Sequence, residues 1–175
     1  RRRYQTVYAT EEGSVAAPTA GMHFTRRLLE RIRARRVEIA SVTLHVGLGT
    51  FAPVRVADLS KHKMHAEWVE ITKDSAREIN AAKKEGRRAV VVGTTALRAV
   101  EGVAEKFGRV KPYKGDINLF IQPGFKFKIA DALITNFHLP GSTLLVLVSA
   151  FAGRKNILSA YNEAVSRRYR FFSFG

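Results

Sequence analysis

The hydrophobic and polar positions of this chain follow two periods, which predict helices interleaved with strands. Apolar spacing and capping residues predict helices that cover residues 25–36, 72–85, 94–105, 142–152 and 156–168. Shorter alternating or continuously apolar runs predict extended segments at residues 37–46, 68–71, 89–92, 117–122 and 129–135. Because strands alternate with helices, we expect an α/β fold with a mixed or mostly parallel sheet and flanking helices.

Hydroxyl and carboxylate side chains mark where the first helices begin. Thr25 is expected to cap the first helix, Thr72 or Asp74 the second, and Thr94 or Thr95 the third. The apolar run at residues 139–152 contains proline and glycine and is shorter than the roughly 20 residues of a membrane span. It therefore predicts a buried helix, and we expect no membrane association.

Five polar segments interrupt the apolar pattern, at residues 13–25, 43–51, 62–68, 92–98 and 131–150. The last is the most informative, because Asp131, Asn136 and His138 stand there among leucine, isoleucine and valine. An unpaired polar group in a core costs about 1–3 kcal/mol. Together the five segments predict the wall of an active site.

Four side chains are candidates for proton transfer: His45, Glu67, Asp131 and His138. Histidine suits such work near neutral pH, and His138 is the first choice because its neighbours are so apolar. In the alternative interpretations His45 is a half-buried histidine bound to a neighbour, and the region of His138 only forms a turn. Asp131 either pairs with Lys128 or has a raised pKa.

Other residues suit ligand binding because they combine small size with polar groups. Glycines after a strand allow close approach of a ligand to the backbone, and residues that follow an apolar strand lie where α/β sheets bind ligands. Hydroxyl caps explain the two threonines almost equally well. The candidates are His23, Gly47, Gly49, Thr50, Thr94, Thr95, Arg98 and Asn136.

The charge of the chain points to a polyanionic partner. Thirty Lys and Arg residues against 15 Asp and Glu residues give a net charge of +15, far above the magnitude of about 2–8 that solubility requires of a small domain. RNA is favoured over a membrane surface because no helix combines a basic face with a broad aromatic face. The arginines expected to contact RNA are Arg33, Arg36, Arg167 and Arg168.

A metal site is not expected. The chain has no cysteine, which excludes disulfides and thiolate zinc sites. His62 and His65 are three residues apart near Glu67, but they do not form the helical pattern of a zinc enzyme. If residues 65–67 are extended, His65 and Glu67 share a face and form an acid/base or ribose-binding pair.

Read in order, these segments resemble the S-adenosylmethionine:tRNA ribosyltransferase-isomerase family of queuosine biosynthesis. The resemblance is carried above all by GSVAAPTAGMHFT at residues 13–25 and DALITNFHLPGSTLL at residues 131–145. It extends from YQTVYA at residues 4–9 to YRFFSFG at residues 169–175, and so covers nearly the whole chain.

The resemblance implies a reaction and its participants. The ribosyl group of S-adenosylmethionine is transferred to 7-aminomethyl-7-deazaguanine at the tRNA wobble position, which gives epoxyqueuosine and releases adenine and methionine. S-adenosylmethionine is then a substrate, and no cofactor is required. The resemblance also implies a barrel-like sheet, and the absence of cysteine suits a cytoplasmic enzyme. Residues 1–175 would form the C-terminal part of the larger, catalytic domain, without the N-terminal half and the small β domain.

Two other classes of function stay open at this point. A non-catalytic, basic RNA-binding α/β module explains the charge but not the apolar segments that contain histidine. A metal-dependent hydrolase that uses His62 and His65 would retain stoichiometric metal after chelation.

Overall fold

The computed structural model describes residues 4–11, 14, 16–45, 47 and 64–172. The helices are α1 (Arg26–Ala34), α2 (Lys73–Lys84), α3 (Thr94–Phe107), α4 (Thr143–Ala152) and α5 (Arg154–Ser166), with a 3-10 turn at Thr19–His23. The strands are β1 (Thr43–His45), β2 (Glu67–Ile71), β3 (Val90–Val92), β4 (Tyr113–Ile117) and β5 (Ala132–Ile134). The predicted α/β class is confirmed.

The strands form two sheets of opposite character. β2 lies between β1 and β4 in an antiparallel sheet, with Leu44 opposite Val69 and Val69 opposite Gly115. β3 and β5 form a parallel pair in which Val91 lies opposite Leu133. The sheet arrangement is therefore mixed, as expected. Within the described residues the strands do not close into a barrel, and this part of the expectation is corrected.

Local capping explains most helix starts. The hydroxyl oxygens of Thr25, Thr72 and Ser142 accept hydrogen bonds from Leu28 N, Ser75 N and Leu145 N, which confirms the caps predicted at Thr25 and Thr72. The expected cap at Thr94 or Thr95 is wrong. Gly93 occupies the cap position with a φ of 93°, and no side chain caps α3.

Two strands have different bounds from those predicted, and strand pairing explains the difference. Residues 117–122 were expected to be extended, but β4 runs from Tyr113 to Ile117 because it pairs with β2 along its whole length. Of residues 37–46 only Thr43–His45 form a strand among the described positions. Pairing partners distant in the chain set these limits, so apolar spacing alone did not predict them.

Helix α3 forms the centre of the core. One of its faces packs against the antiparallel sheet through Val100 and Val103, which contact the cluster that contains Val69 and Ile71. Leu97 belongs to a second cluster with Leu147 and Val148 of α4. A fully buried aliphatic side chain contributes about 1.5–3 kcal/mol. The helix therefore joins the two sheets to the C-terminal helices.

Helices α4 and α5 meet at a sharp angle. They are bent by 115° at Gly153, which has a φ of 85°. In the part of the chain that the structure describes, no single helix is long and apolar enough to cross a membrane. Taken together, the two bent helices have the length and apolar composition of a span, but no other feature of one is shown.

Candidate functional site

A cavity of about 340 Å³ opens at the carboxyl end of β5. Its side chains come from the 3-10 turn, from the residues that follow β5 and from the segment after α5. Ligands of α/β proteins bind at this end of parallel strands, and β3 ends at the same edge because Gly93 N donates to Ile134 O over 2.9 Å. We call this space the edge cavity; the side chains that define it are His23, Thr135, Asn136, Phe137, Tyr169 and Arg170.

His23 reaches the edge cavity from the end of the 3-10 turn. The turn is closed by hydrogen bonds from Gly21 N to Pro18 O and from Phe24 N to Gly21 O. A Cβ atom at residue 21 would overlap the Tyr8 hydroxyl, so glycine is needed for residues 6–8 to pack over the turn. His23 and Asn136 both line the edge cavity, so the structure brings two of the predicted ligand-binding residues to one place.

The segment after α5, residues 167–172, forms the opposite wall. Phe172 N donates to Phe137 O over 2.9 Å, and Asn136 Nδ2 donates to Phe172 O over 2.8 Å. The Phe171 ring stacks on Phe137 with centroids 4.9 Å apart, and Tyr161 packs edge-on against Phe137. These contacts fix the wall to the loop that follows β5.

His138 lies behind the cavity wall. The residue is 6% exposed, and its Nε2 atom lies 3.1 Å from Oγ1 of Thr135, a residue that lines the cavity. Burial lowers the pKa of His138 from 6.5 to about 4, so the ring is neutral at neutral pH. The tautomer decides whether the ring donates or accepts in this hydrogen bond. His138 therefore reaches the cavity through Thr135, and a pKa of about 4 makes it a weak base.

His45 and Glu67 lie in the antiparallel sheet, away from the edge cavity. The His45 ring packs against Trp68 with centroids 4.7 Å apart. Glu67 is buried and forms an ion pair with Arg98 of α3. Arg98 is also buried and donates through Nε to Leu119 O. It was expected to bind a ligand, but in the structure it faces the core and does not line the edge cavity. His65 precedes β2, and its carbonyl accepts from Arg98.

Asp131 lies at the other end of β5 from the edge cavity. Its carboxylate accepts from Ala89 N over 2.8 Å and pairs with Lys83, not with Lys128. The Ala89 hydrogen bond, followed by the Lys83 ammonium, lowers the pKa of Asp131. The expected raised pKa is therefore wrong, because the carboxylate is half-exposed and bound by donors.

The remaining ligand-binding candidates are spread around the edge. Thr94 and Thr95 follow β3 in the first turn of α3, on the same sheet edge as the cavity, and Thr94 is buried. Gly47 is exposed. Gly49 and Thr50 lie outside the described residues, as does His62.

The four arginines expected to contact RNA are exposed. Arg33 lies in the last turn of α1, and Arg36 follows in the left-handed region with a φ of 58°. Arg167 forms an ion pair with Glu163, and Arg168 has a φ of 56°. The first pair lies at the end of α1 and the second pair at the end of α5, where Arg170 lines the edge cavity.

Sequence reasoning missed three kinds of residue. Thr135 is embedded in the segment already noted for Asn136 and His138, and Tyr169 adjoins the terminal arginines that were expected to contact RNA. The buried Glu101 was not predicted at all. Its carboxylate accepts from the backbone N–H groups of Lys128, Ile129 and Ala130, which ties α3 to the chain before β5. A charged residue on an apolar helix face was the available signal.

Within the described ranges, no group of three or more His, Cys, Asp or Glu residues is placed to hold a metal ion. His65 lies in this part of the chain without a cluster, and His62 lies outside it.

Residues 1–175 of the chain match the family described as "Queuosine biosynthesis protein". A relative from Carboxydothermus hydrogenoformans is 61% identical over 173 residues, which are 99% of this chain and 51% of that protein. One from Clostridioides difficile is 55% identical over all of this chain and 51% of its own length. Both are named S-adenosylmethionine:tRNA ribosyltransferase-isomerase.

A solved structure is also similar. The S-adenosylmethionine tRNA ribosyltransferase of Thermotoga maritima superposes with a TM-score of 0.74 at 45% identity, over 89% of this chain and 49% of that one. The chain spans about half the length of the relatives it matches. Because the family match covers every residue, the chain belongs to the queuosine biosynthesis protein family.

Proposed function

We propose that the protein acts in transfer and isomerisation of the ribosyl group of S-adenosylmethionine onto 7-aminomethyl-7-deazaguanine at the tRNA wobble position. The observation that carries the proposal is the identity of 55–61% to enzymes of that name over essentially the whole chain. The edge cavity supports it, because imidazole, amide, hydroxyl and guanidinium groups meet there beside aromatic rings.

The reaction has three physical requirements. A base removes a proton from the carbon next to the sulfonium, whose positive charge acidifies that carbon. An acid protonates adenine as it leaves, and polar groups hold the ribose while it opens and closes again. S-adenosylmethionine is consumed as a substrate, and we propose no separate cofactor and a cytoplasmic setting.

We assign these tasks by position around the edge cavity. His23 lines the cavity and is the group we propose for proton transfer with substrate, since an imidazole can give or take a proton. Asn136 and Thr135 hold hydroxyl groups of the ribose. His138 acts through Thr135 as a positioning residue, because its neutral ring fixes the direction of that hydroxyl over 3.1 Å.

The test is turnover in the intact protein with S-adenosylmethionine and tRNA that carries the modified base, followed by quantification of released adenine and methionine. We expect both in equal amounts, together with epoxyqueuosine in the tRNA. The control is tRNA with guanine at the wobble position, which should release neither. RNA binding without adenine release would favour a non-catalytic binding module, and activity that is lost with chelation and restored by metal would favour a hydrolase.

A further inference from the structure

Tyr169 and Arg170 give the edge cavity a rim unlike its inner wall. Tyr169 is 58% exposed although it lines the cavity, and Arg170 next to it is exposed as well. An exposed aromatic ring beside a guanidinium is the combination that binds an unpaired base and its phosphate. We call these two residues the stacking rim.

The backbone presents the stacking rim in a fixed position. Arg168 adopts a left-handed conformation, and Tyr169 N donates to Ala164 O over 2.8 Å, so the chain turns back at the end of α5. Beyond the rim, Phe171 stacks on Phe137, and Phe172 is hydrogen-bonded to Phe137 and Asn136. The rim is therefore held on both sides and needs little ordering before it binds.

Charge favours RNA as the occupant of the rim. Arg167 is neutralised by Glu163, but Arg168 and Arg170 form no ion pair among the described residues, and the whole chain carries +15. The Tyr169 ring is exposed enough to offer a face to a base beside the cavity. Base–aromatic stacking tolerates any base, because every base has a flat π-face.

We infer that the stacking rim binds the single-stranded loop of the RNA substrate: Tyr169 stacks on an unpaired base next to the one that enters the cavity, and Arg170 binds the adjoining phosphate. The inference rests on the proposed function for the identity of the RNA. It adds the element that recognises the substrate as a loop and not as a duplex.

The experiment compares binding of an RNA stem–loop and of a duplex of equal length to the intact protein. Tyr169→Leu removes stacking but keeps apolar packing against Phe137, and we expect it to weaken stem–loop binding by about 5- to 140-fold with duplex binding unchanged. Tyr169→Phe should bind like the wild type. Arg170→Gln should reduce the salt dependence of stem–loop binding by about 0.7–0.9 in slope.

Arg154→Gln is the matched control, since Arg154 begins α5, about 15 Å along the helix from Ala164, to which Tyr169 is bonded, and carries the same charge. The inference is overturned if Tyr169→Leu binds the stem–loop like the wild type, or if Arg154→Gln weakens it as much as Arg170→Gln. It is also overturned if Tyr169→Leu loses affinity only for S-adenosylmethionine, measured by equilibrium dialysis without RNA.

The proposed function and the stacking-rim inference can be refuted independently of each other. If the protein releases no adenine while Tyr169→Leu still loses stem–loop binding selectively, the rim assignment stands and the enzymatic proposal does not.

Discussion

Glu67 and Arg98 form an ion pair in which each side chain is only 2% exposed and Arg98 Nη1 lies 2.9 Å from Glu67 Oε2. This nitrogen is within ion-pair distance but lacks the orientation of a hydrogen bond. Burial lowers the pKa of Arg98, and the Glu67 carboxylate counteracts this shift. The pair joins α3 to β2, while Arg98 Nε binds Leu119 O, so two candidate site residues serve to connect the elements of the core.

Removing one partner of this pair should be strongly destabilising. We expect Glu67→Leu or Arg98→Met to lower the free energy of unfolding by about 3–5 kcal/mol, because each leaves a buried charge without its counterpart. The double variant Glu67→Leu/Arg98→Met should recover much of the loss. Urea unfolding of the four proteins measures this, and a double variant as unstable as the sum of the single ones would contradict it.

His138 should make stability depend on pH. Its folded pKa of about 4 lies below the unfolded value of 6.5, so the unfolded chain takes up a proton first as the pH falls. Stability should therefore decrease between pH 6.5 and pH 4, by at most about 3 kcal/mol from this group. His138→Gln should lack this component in unfolding curves measured across the range. The same substitution at the exposed His23 is the control and should keep it.

Thr135 and His138 should act as one unit in turnover. If His138 works by orienting the Thr135 hydroxyl, then Thr135→Val and His138→Gln lower kcat by similar factors, and the double variant is no slower than either. Deuterium wash-out at the ribose carbon next to sulfur measures proton removal directly.

His23→Gln should slow that exchange by about 10²- to 10⁴-fold. The assignment of His23 is contradicted if His23→Gln exchanges this proton at the wild-type rate. If His138→Gln or His45→Gln then exchanges it slowly, that histidine is the base.

The arginines at the end of α1 should contribute to tRNA affinity through phosphate contacts. We expect Arg33→Gln/Arg36→Gln to weaken binding and to flatten the plot of log K against log salt by about 0.7–0.9 for each lost contact. Arg154→Gln/Lys155→Gln removes the same charge at the start of α5 and should change the slope less. Equal slopes for the wild type and the α1 variant would mean that these arginines only solvate the surface.

Asp131 should matter for stability and not for the chemical step. Asp131→Asn weakens the hydrogen bond from Ala89 N and the ion pair with Lys83, at a cost of about 1 kcal/mol. Because the pKa of Asp131 is lowered in the folded protein, its ionised carboxylate stabilises the fold at pH values above the unfolded pKa. This stabilisation is lost as the pH falls through the folded pKa. A large loss of kcat in a folded Asp131→Asn protein would restore its catalytic candidacy.

Features that depend on neighbours in the chain could be predicted from the sequence. Thr25 and Thr72 begin helices because a hydroxyl bonds an N–H three residues later, and β3 is recognisable from three consecutive valines. The polar segments also drew attention to His23 and Asn136, which both line the edge cavity. The family resemblance rested on the same local segments and is confirmed over the whole chain.

The partners of the polar groups were decided by the tertiary structure alone. Whether Arg98 faces a ligand or Glu67, and whether His138 faces the cavity or Thr135, depends on how α3, β2 and β5 pack. His23 and Arg170 are far apart in sequence but line the same cavity, because the chain folds back after α5. Burial then set the pKa of His138, since desolvation is a property of the packed molecule and not of the residue type.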